Sequence, residues 1–233
     1  MSSARPKKEI LFTGIGVVEP YAYLAKPDYG QGSFASERGK YKLNLTLPSK
    51  LAQPIIDKII AIHEAHFEAR KAEFEEKREE LQKKLPRGKK LLEPYEGDLP
   101  FFENDDGTVT FKFASWASYE KDGEMIPMVL KVADAKGKPI KDVPNISGGS
   151  EGKARFSIVP YTWNATVGAA VKLQLEGFML TKLVEFGGGG DEWGGQEEEG
   201  GYEASESTSR KRDDSEWDGQ EDDSSSDDSD GDF

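Results

Sequence analysis

From Lys40 to Leu47 apolar and polar residues alternate strictly: Tyr41, Leu43, Leu45 and Leu47 on one side, Lys40, Lys42, Asn44 and Thr46 on the other. A period of two with one apolar face predicts a strand that covers a core and shows its other face to water. Glu9–Val18, Thr108–Tyr119, about Pro127–Ala133, Lys153–Tyr161 and Ala169–Val184 read as further strands. In the last of these, Gly177 shifts the apolar parity from Val171, Leu173 and Leu175 to Phe178 and Leu180, which predicts a β-bulge.

One segment has a different period. Between about Leu51 and Leu85 the residues Ile56, Ile60, His63, Phe67, Phe74 and Leu81 form a stripe at helical spacing. This predicts one long helix, with Pro54 confined to its first turn. Its second half is dense in Glu, Lys and Arg and reads as a solvent-facing extension that ends at Pro86-Arg87-Gly88. Glu19–Gly39 and Lys89–Phe102 read as loops, and Asn104–Gly107 and Ala135–Lys138 as turns. Five or six strands with one long helix fit a mainly β fold: a small barrel carrying an inserted α-helix.

Charge divides the chain. Residues 191–233 hold 18 Asp and Glu against 3 Lys and Arg, which leaves 26 acids and 28 bases to residues 1–190. The acidity therefore belongs to the C-terminal arm, and the body is free to carry basic patches. Gly187–Gly190 open that arm, so the chain divides into a body, 1–186, and an acidic tail, 187–233. A segment so poor in apolar residues cannot offset its ordering entropy and is expected to be disordered. There is no cysteine, hence no disulfide framework and no thiolate-bound metal. No stretch has the length of a signal peptide's apolar region or of a membrane span, and a soluble intracellular protein is expected.

Two strands carry cations and rings on the face that is not core. On Lys153–Tyr161 that face reads Lys153, Arg155, Ser157, Val159, Tyr161, with Trp163 just beyond, while Ala154, Phe156, Ile158 and Pro160 face the core. On Thr108–Tyr119 it reads Thr110, Lys112, Ala114, Trp116, against Val109, Phe111 and Phe113. Cations along phosphates and flat rings under bases are what single-stranded nucleic acid requires. An edge ring packed under a loop is the plain explanation for either strand alone; two strands with the same face favour the functional one.

Enzymatic motifs fail on spacing. His63-Glu-Ala-His66 sets its histidines one residue too close for the zinc-protease pattern, and His63 lies on the apolar stripe. Gly14-Ile-Gly16 lacks the third glycine of a dinucleotide loop, and Gly148–Lys153 has neither the spacing nor the following helix of a phosphate loop. Asp105-Asp-Gly107 is followed by Thr, Val, Thr and Phe, not by calcium ligands. No catalytic site, metal or cofactor is expected.

The tail has a bland reading, a solubilising arm, and a sharper one. A negative chain with Trp193, Tyr202, Trp217 and Phe233 along it mimics single-stranded nucleic acid. A flexible segment of this length spans roughly 35–40 Å, against a radius of gyration of roughly 16 Å for the body, so it can reach a groove on its own body. Phe233, after a run of Gly, Gln, Glu, Asp and Ser, reads as an anchor for a pocket.

Long blocks of the chain resemble one family. They are Glu19-Pro-Tyr-Ala-Tyr-Leu-Ala-Lys-Pro-Asp-Tyr-Gly30, Pro94-Tyr-Glu-Gly-Asp-Leu-Pro-Phe-Phe102, Asp106-Gly-Thr-Val-Thr-Phe-Lys-Phe113, Ser157-Ile-Val-Pro-Tyr-Thr-Trp-Asn164, Val171-Lys-Leu-Gln-Leu-Glu176 and Phe186-Gly-Gly-Gly189. They resemble the single-stranded DNA-binding protein of T7-type bacteriophages nearly end to end, including the closing Asp232-Phe233. The resemblance implies an OB-fold barrel carrying a long helix, a homodimer, and sequence-tolerant binding of single-stranded DNA in the cytoplasm of an infected bacterium, at replication forks. It implies strand annealing, and recruitment of the replicative DNA polymerase and the primase-helicase through a tail that occupies the DNA groove when DNA is absent.

Carried over by position, the resemblance puts stacking rings at Tyr161, Trp163 and Trp116, and basic contacts at Lys153, Arg155, Arg38 and Lys7 or Lys8, with Lys112 added from its strand face. Arg87 matches an arginine associated with annealing, and Asp230, Asp232 and Phe233 match the partner-binding end of the tail. Ala114 stands where the family has a lysine, and the helix over Glu68–Leu85 is longer than the family's. A different class of function, an acidic-tailed chaperone or adaptor that binds basic proteins and not DNA, is the alternative.

Overall fold

The computed structural model describes residues 8–86, 88–162 and 169–184. In chain order the elements are β1 (Leu11–Phe12), β2 (Gly16–Val18), β3 (Tyr23–Asp28), β4 (Lys40–Pro48), α1 (Ser49–Lys84), β5 (Phe101–Glu103), β6 (Thr108–Trp116), β7 (Ser118–Lys121), β8 (Glu124–Pro127), β9 (Val132–Ala133), β10 (Glu151–Thr162) and β11 (Ala169–Lys182). β2 pairs with β4, β4 with β6, β6 in parallel with β11, β11 with β10, and β10 with both β1 and β2. The sheet thus closes on itself as a five-stave barrel, counting β1 and β2 as one stave, and removes its own edges. The fold is mainly β, OB-like, with one long helix inserted between β4 and β6.

The apolar parity seen in the sequence lines the inside. Leu43, Leu45 and Leu47 of β4, Phe111 of β6, and Ala154 and Phe156 of β10 are completely buried. Phe113 and Phe156 meet edge to face, 5.1 Å between ring centres. The helix follows β4 without a loop and covers the core through Ala52, Ile55, Ile56 and Ile59. Beyond Phe74 none of its residues is buried, and ion pairs such as Lys77–Glu73 and Lys84–Glu80 line its surface. Such pairs add only a few tenths of a kcal/mol each. None of the described helices is long and apolar enough to cross a membrane.

Several boundaries differ from the sequence reading, each for a local reason. The strand expected over Glu9–Val18 breaks at Thr13, whose N–H donates to Ala154 O (3.0 Å) while its Oγ1 accepts from Ala154 N (2.9 Å). A side chain there replaces a backbone partner, and the strand bends. The expected loop Glu19–Gly39 contains β3, held by two registered pairs to β4 and by the burial of Leu24. The strand expected through Tyr119 turns away at Ala117, which donates to Gly39 O and accepts from Met128 N. β7 and β8 then form a separate hairpin through Asp122-Gly123, both at positive φ.

The helix begins at Ser49, so Pro54 falls in its second turn and removes a backbone bond at exposed Lys50. Pro160, expected in the core, is exposed at the barrel rim. The bulge at Gly177 is present: Arg155 opposes Gly177, Phe156 opposes Leu175, and Glu176 is the extra residue. A side chain at Gly177 would sit 2.9 Å from Lys131 O, because β9 joins β11 there.

Candidate nucleic-acid interface

Register carries one row of side chains across five strands. Ser157 of β10 faces Gln174 of β11, Gln174 faces Ala114 of β6, Ala114 faces Lys42 of β4, and Lys42 faces Tyr23 of β3. Strand periodicity puts residues two positions along on the same outer face. One side of the row therefore holds Arg155, Trp116 and Lys40; the other holds Val159, Tyr161, Lys172, Lys112 and Asn44. The two polar faces read from sequence are parts of a single surface.

Rings on this surface stand beside cations. The Arg38 guanidinium lies 4.5 Å and the Lys40 ammonium 4.3 Å from the Trp116 ring centre. Lys112 stands 5.3 Å from Phe102, Lys172 5.8 Å from Tyr161, and Lys42 5.9 Å from Tyr23. Contacts of this kind are worth about 0.5–1 kcal/mol at exposed sites, so they orient the side chains more than they stabilise the fold. Arg38 is held further: it donates to Ser118 O (3.0 and 3.4 Å), and Ser118 Oγ donates back to Arg38 O (3.1 Å). The hairpin of β7 and β8 thus fixes Arg38 against Trp116.

A groove of about 430 Å³ opens beside Trp116, lined also by Ser115, Arg155, Gln174, Glu176 and the segment Met128–Lys131. It brings Trp116 and Arg155, from different strands, to one cleft. Lys153 is on the same outer parity of β10 and half-buried. Lys112 lies on the other side of Ala114. Lys8 forms an ion pair with Glu176, which also accepts from Ser157 Oγ (3.3 Å). Ser157, on the polar parity of the sequence reading, is accordingly buried. Lys7, Arg87, Trp163, Asp230, Asp232 and Phe233 lie outside the described residues.

Two carboxylates balance cations on this surface. Lys42 forms an ion pair with Asp28. The Lys42 hydrogen bond and the Gly30 N–H hold the Asp28 carboxyl below its ordinary value. The histidines of the failed zinc pattern do not converge on a metal: His63 Nε2 lies 3.1 Å from Ala169 O and His66 Nε2 3.2 Å from Tyr161 O. No cluster of three or more potential ligands is found among the described residues.

Sequence reasoning missed Lys40, Lys42 and Lys172 as members of the surface, and Tyr23 and Phe102 as its rings. The signal for the lysines was present: all three occupy the polar parity of their strands, as Lys112 does. What was lacking is the order of the strands, which decides whether those faces join.

A family described as Single-stranded DNA-binding protein, Bacteriophage T7, matches residues 15–183. The chain is 48% identical to the single-stranded DNA-binding protein of Escherichia phage T7 over 234 aligned residues, covering 97% of this chain and 99% of that protein. It is 50% identical to that of Enterobacteria phage T3 over 188 residues, covering 78% of this chain and 79% of that protein. The crystal structure of gp2.5, a single-stranded DNA-binding protein encoded by bacteriophage T7, superposes with a TM-score of 0.67 at 45% identity, over 85% of this chain and all of that one.

Proposed function

The chain belongs to the T7 family of single-stranded DNA-binding proteins, a family of binding proteins and not of enzymes, and on that footing we propose that it coats single-stranded DNA at phage replication forks. The observation that carries this is the five-strand row, with rings and cations on both sides of it. A strand laid along the outer face would stack bases on Tyr161, Trp163 and Trp116. Its phosphates would meet Lys112, Lys153, Arg155, Lys7 or Lys8, and the donors of Arg38 that Ser118 does not take. Lys42 and Lys172 join that set from their registered positions. Stacking and phosphate contacts carry no base code, so binding tolerates sequence.

The finer activities follow from the family resemblance. Two coated strands would anneal through a surface that includes Arg87, and the protein would act as a homodimer. The acidic arm, through Asp230, Asp232 and Phe233, would recruit the replicative polymerase and the primase-helicase. In the absence of DNA it would compete for the basic groove, which its charge supports.

Titrating oligo-dT against intrinsic tryptophan fluorescence tests the reading. Quenching that saturates, and that falls off in Tyr161→Ala plus Trp163→Ala, is expected. Unchanged fluorescence would favour the acidic-tailed adaptor and sink the DNA-binding assignment.

A further inference from the structure

We propose that Phe12 is a further base-stacking residue, which extends the DNA-binding surface across β10 onto β1; this rests on the DNA-binding reading of that surface. β1 pairs with β10 in register, Leu11 opposite Phe156 and Phe12 opposite Arg155. Phe156 is completely buried, and Leu11 packs against the same core. The next pair along therefore points outward, and Phe12 stands on the outer face with Arg155. Directly opposed side chains of an antiparallel ladder have Cβ atoms about 4.5–5.5 Å apart. Arg155 also lines the Trp116 groove, so the same cation borders both rings.

Exposed apolar side chains are ordinary, and the 66% exposure of Phe12 alone means little. What it faces sets it apart. Val17, also exposed on this stave, stands opposite Glu151, whose carboxylate Lys182 holds at 2.9 Å. Phe12 stands opposite a cation, with Lys153 two residues along the same face. Among the described residues neither Lys153 nor Arg155 forms an ion pair. An exposed ring beside two such charges suits one nucleotide, its base against the ring and the adjoining phosphates against the cations.

The backbone beneath the ring is held on both sides. Thr13 N–H donates to Ala154 O (3.0 Å), while Thr13 Oγ1 accepts from Ala154 N (2.9 Å) and donates to Gly14 O (2.7 Å). Upstream, Glu9 pairs with Lys58 of the helix at 2.7 Å. A ring presented from a fixed backbone loses little freedom when a base covers it, and affinity gains accordingly.

Full-length Phe12→Leu keeps the apolar bulk without the ring. It should weaken oligo-dT binding at least about fivefold, the low end of stacking losses, and Phe12→Trp should retain or exceed wild-type affinity. No phosphate contact is lost in Phe12→Leu, so the slope of log affinity against log salt should stay unchanged, whereas Arg155→Ala should lower it by about 0.7. The ring lies outside the core, so both Phe12 variants should melt as wild type does. Wild-type affinity in Phe12→Leu would overturn the proposal. So would a weakening that accompanies a changed oligomeric state by light scattering, which would assign the ring to a contact between copies of the chain. If wild-type protein does not bind oligo-dT, the functional reading itself fails; if it does and Phe12→Leu binds equally well, only the role of Phe12 is lost.

Discussion

Lys42 stands directly across the β4–β6 ladder from Ala114, on the outer face of the barrel and between Ala114 and Tyr23 in the five-strand row. The small side chain at 114 leaves the Lys42 stem unobstructed. Asp28 holds its ammonium from one side, and the Tyr23 ring lies 5.9 Å away. A cation within the row can meet the phosphates of a strand that crosses it.

Replacing it should therefore matter. Lys42→Ala should weaken oligo-dT binding several-fold in low salt and lower the slope of log affinity against log salt by about 0.7, the value for one single-strand phosphate contact. Ala114→Lys places a second ammonium beside the first. It should tighten binding by less than Lys42→Ala weakens it, because like charges directly opposite repel. A salt titration of both variants decides; an unchanged slope in Lys42→Ala would remove the residue from the interface.

Arg38 and Trp116 depend on each other in a way that lysine cannot supply. Guanidinium lies over the ring while two of its donors hold Ser118 O. Arg38→Lys keeps the charge and loses the fork. It should cost a large part of what Trp116→Ala costs, and stacking losses run to about 1–3 kcal/mol per base. Binding curves for the two single variants and the double variant should be markedly non-additive; strict additivity would show that Arg38 acts only as a charge.

The ease of reading differs among these parts for physical reasons. β4 was legible because one face is fully buried and its alternation is local, and α1 because its stripe keeps a helical period to Phe74. The break at Thr13 was not, since a hydroxyl does there what a backbone group does elsewhere. β3 was hidden because few pairs hold it and Pro27 lies within it. For the outer surface, the parities of β6 and β10 singled out Lys112, Trp116, Lys153, Arg155 and Tyr161 as candidates. Lys42 and Lys172 required the order β4–β6–β11–β10, a set of pairings between residues far apart in sequence. The seat of Arg38 required the turn at Ala117 and the hairpin after it.

Acidity should act on the Asp28–Lys42 pair with a definite sign. The Asp28 carboxyl is held below its ordinary value of 3.8, chiefly by the Lys42 hydrogen bond. A carboxylate lowered by folding adds stability that is complete above that ordinary value and is lost as the pH falls below it. Melting of Asp28→Asn should lie slightly below wild type at pH 7 and converge with it as the pH falls through and below 3.8. At pH 7 the same variant frees Lys42 and should bind oligo-dT about twofold more tightly, within the range of an exposed pair. Weaker DNA binding by Asp28→Asn would mean that the carboxylate orients the lysine for DNA instead of withholding it.

The acidic arm gives the strongest expected effect of the set. Its 18 carboxylates against 3 bases follow a body whose outer face carries Arg38, Lys40, Lys42, Lys112, Lys153, Arg155 and Lys172. A tethered polyanion competes with DNA at an effective concentration on the order of millimolar. Removing residues 213–233 should then tighten oligo-dT binding at least tenfold in low salt. The gain should shrink as salt rises, because the competitor and the DNA are screened alike. Phe233→Ala separates ring from charge: if the terminal ring seats in a pocket, this variant should recover part of the gain with the net charge untouched. Equal affinity of the shortened and full chains at low salt would show that the arm does not enter the groove, leaving recruitment of partners as its role.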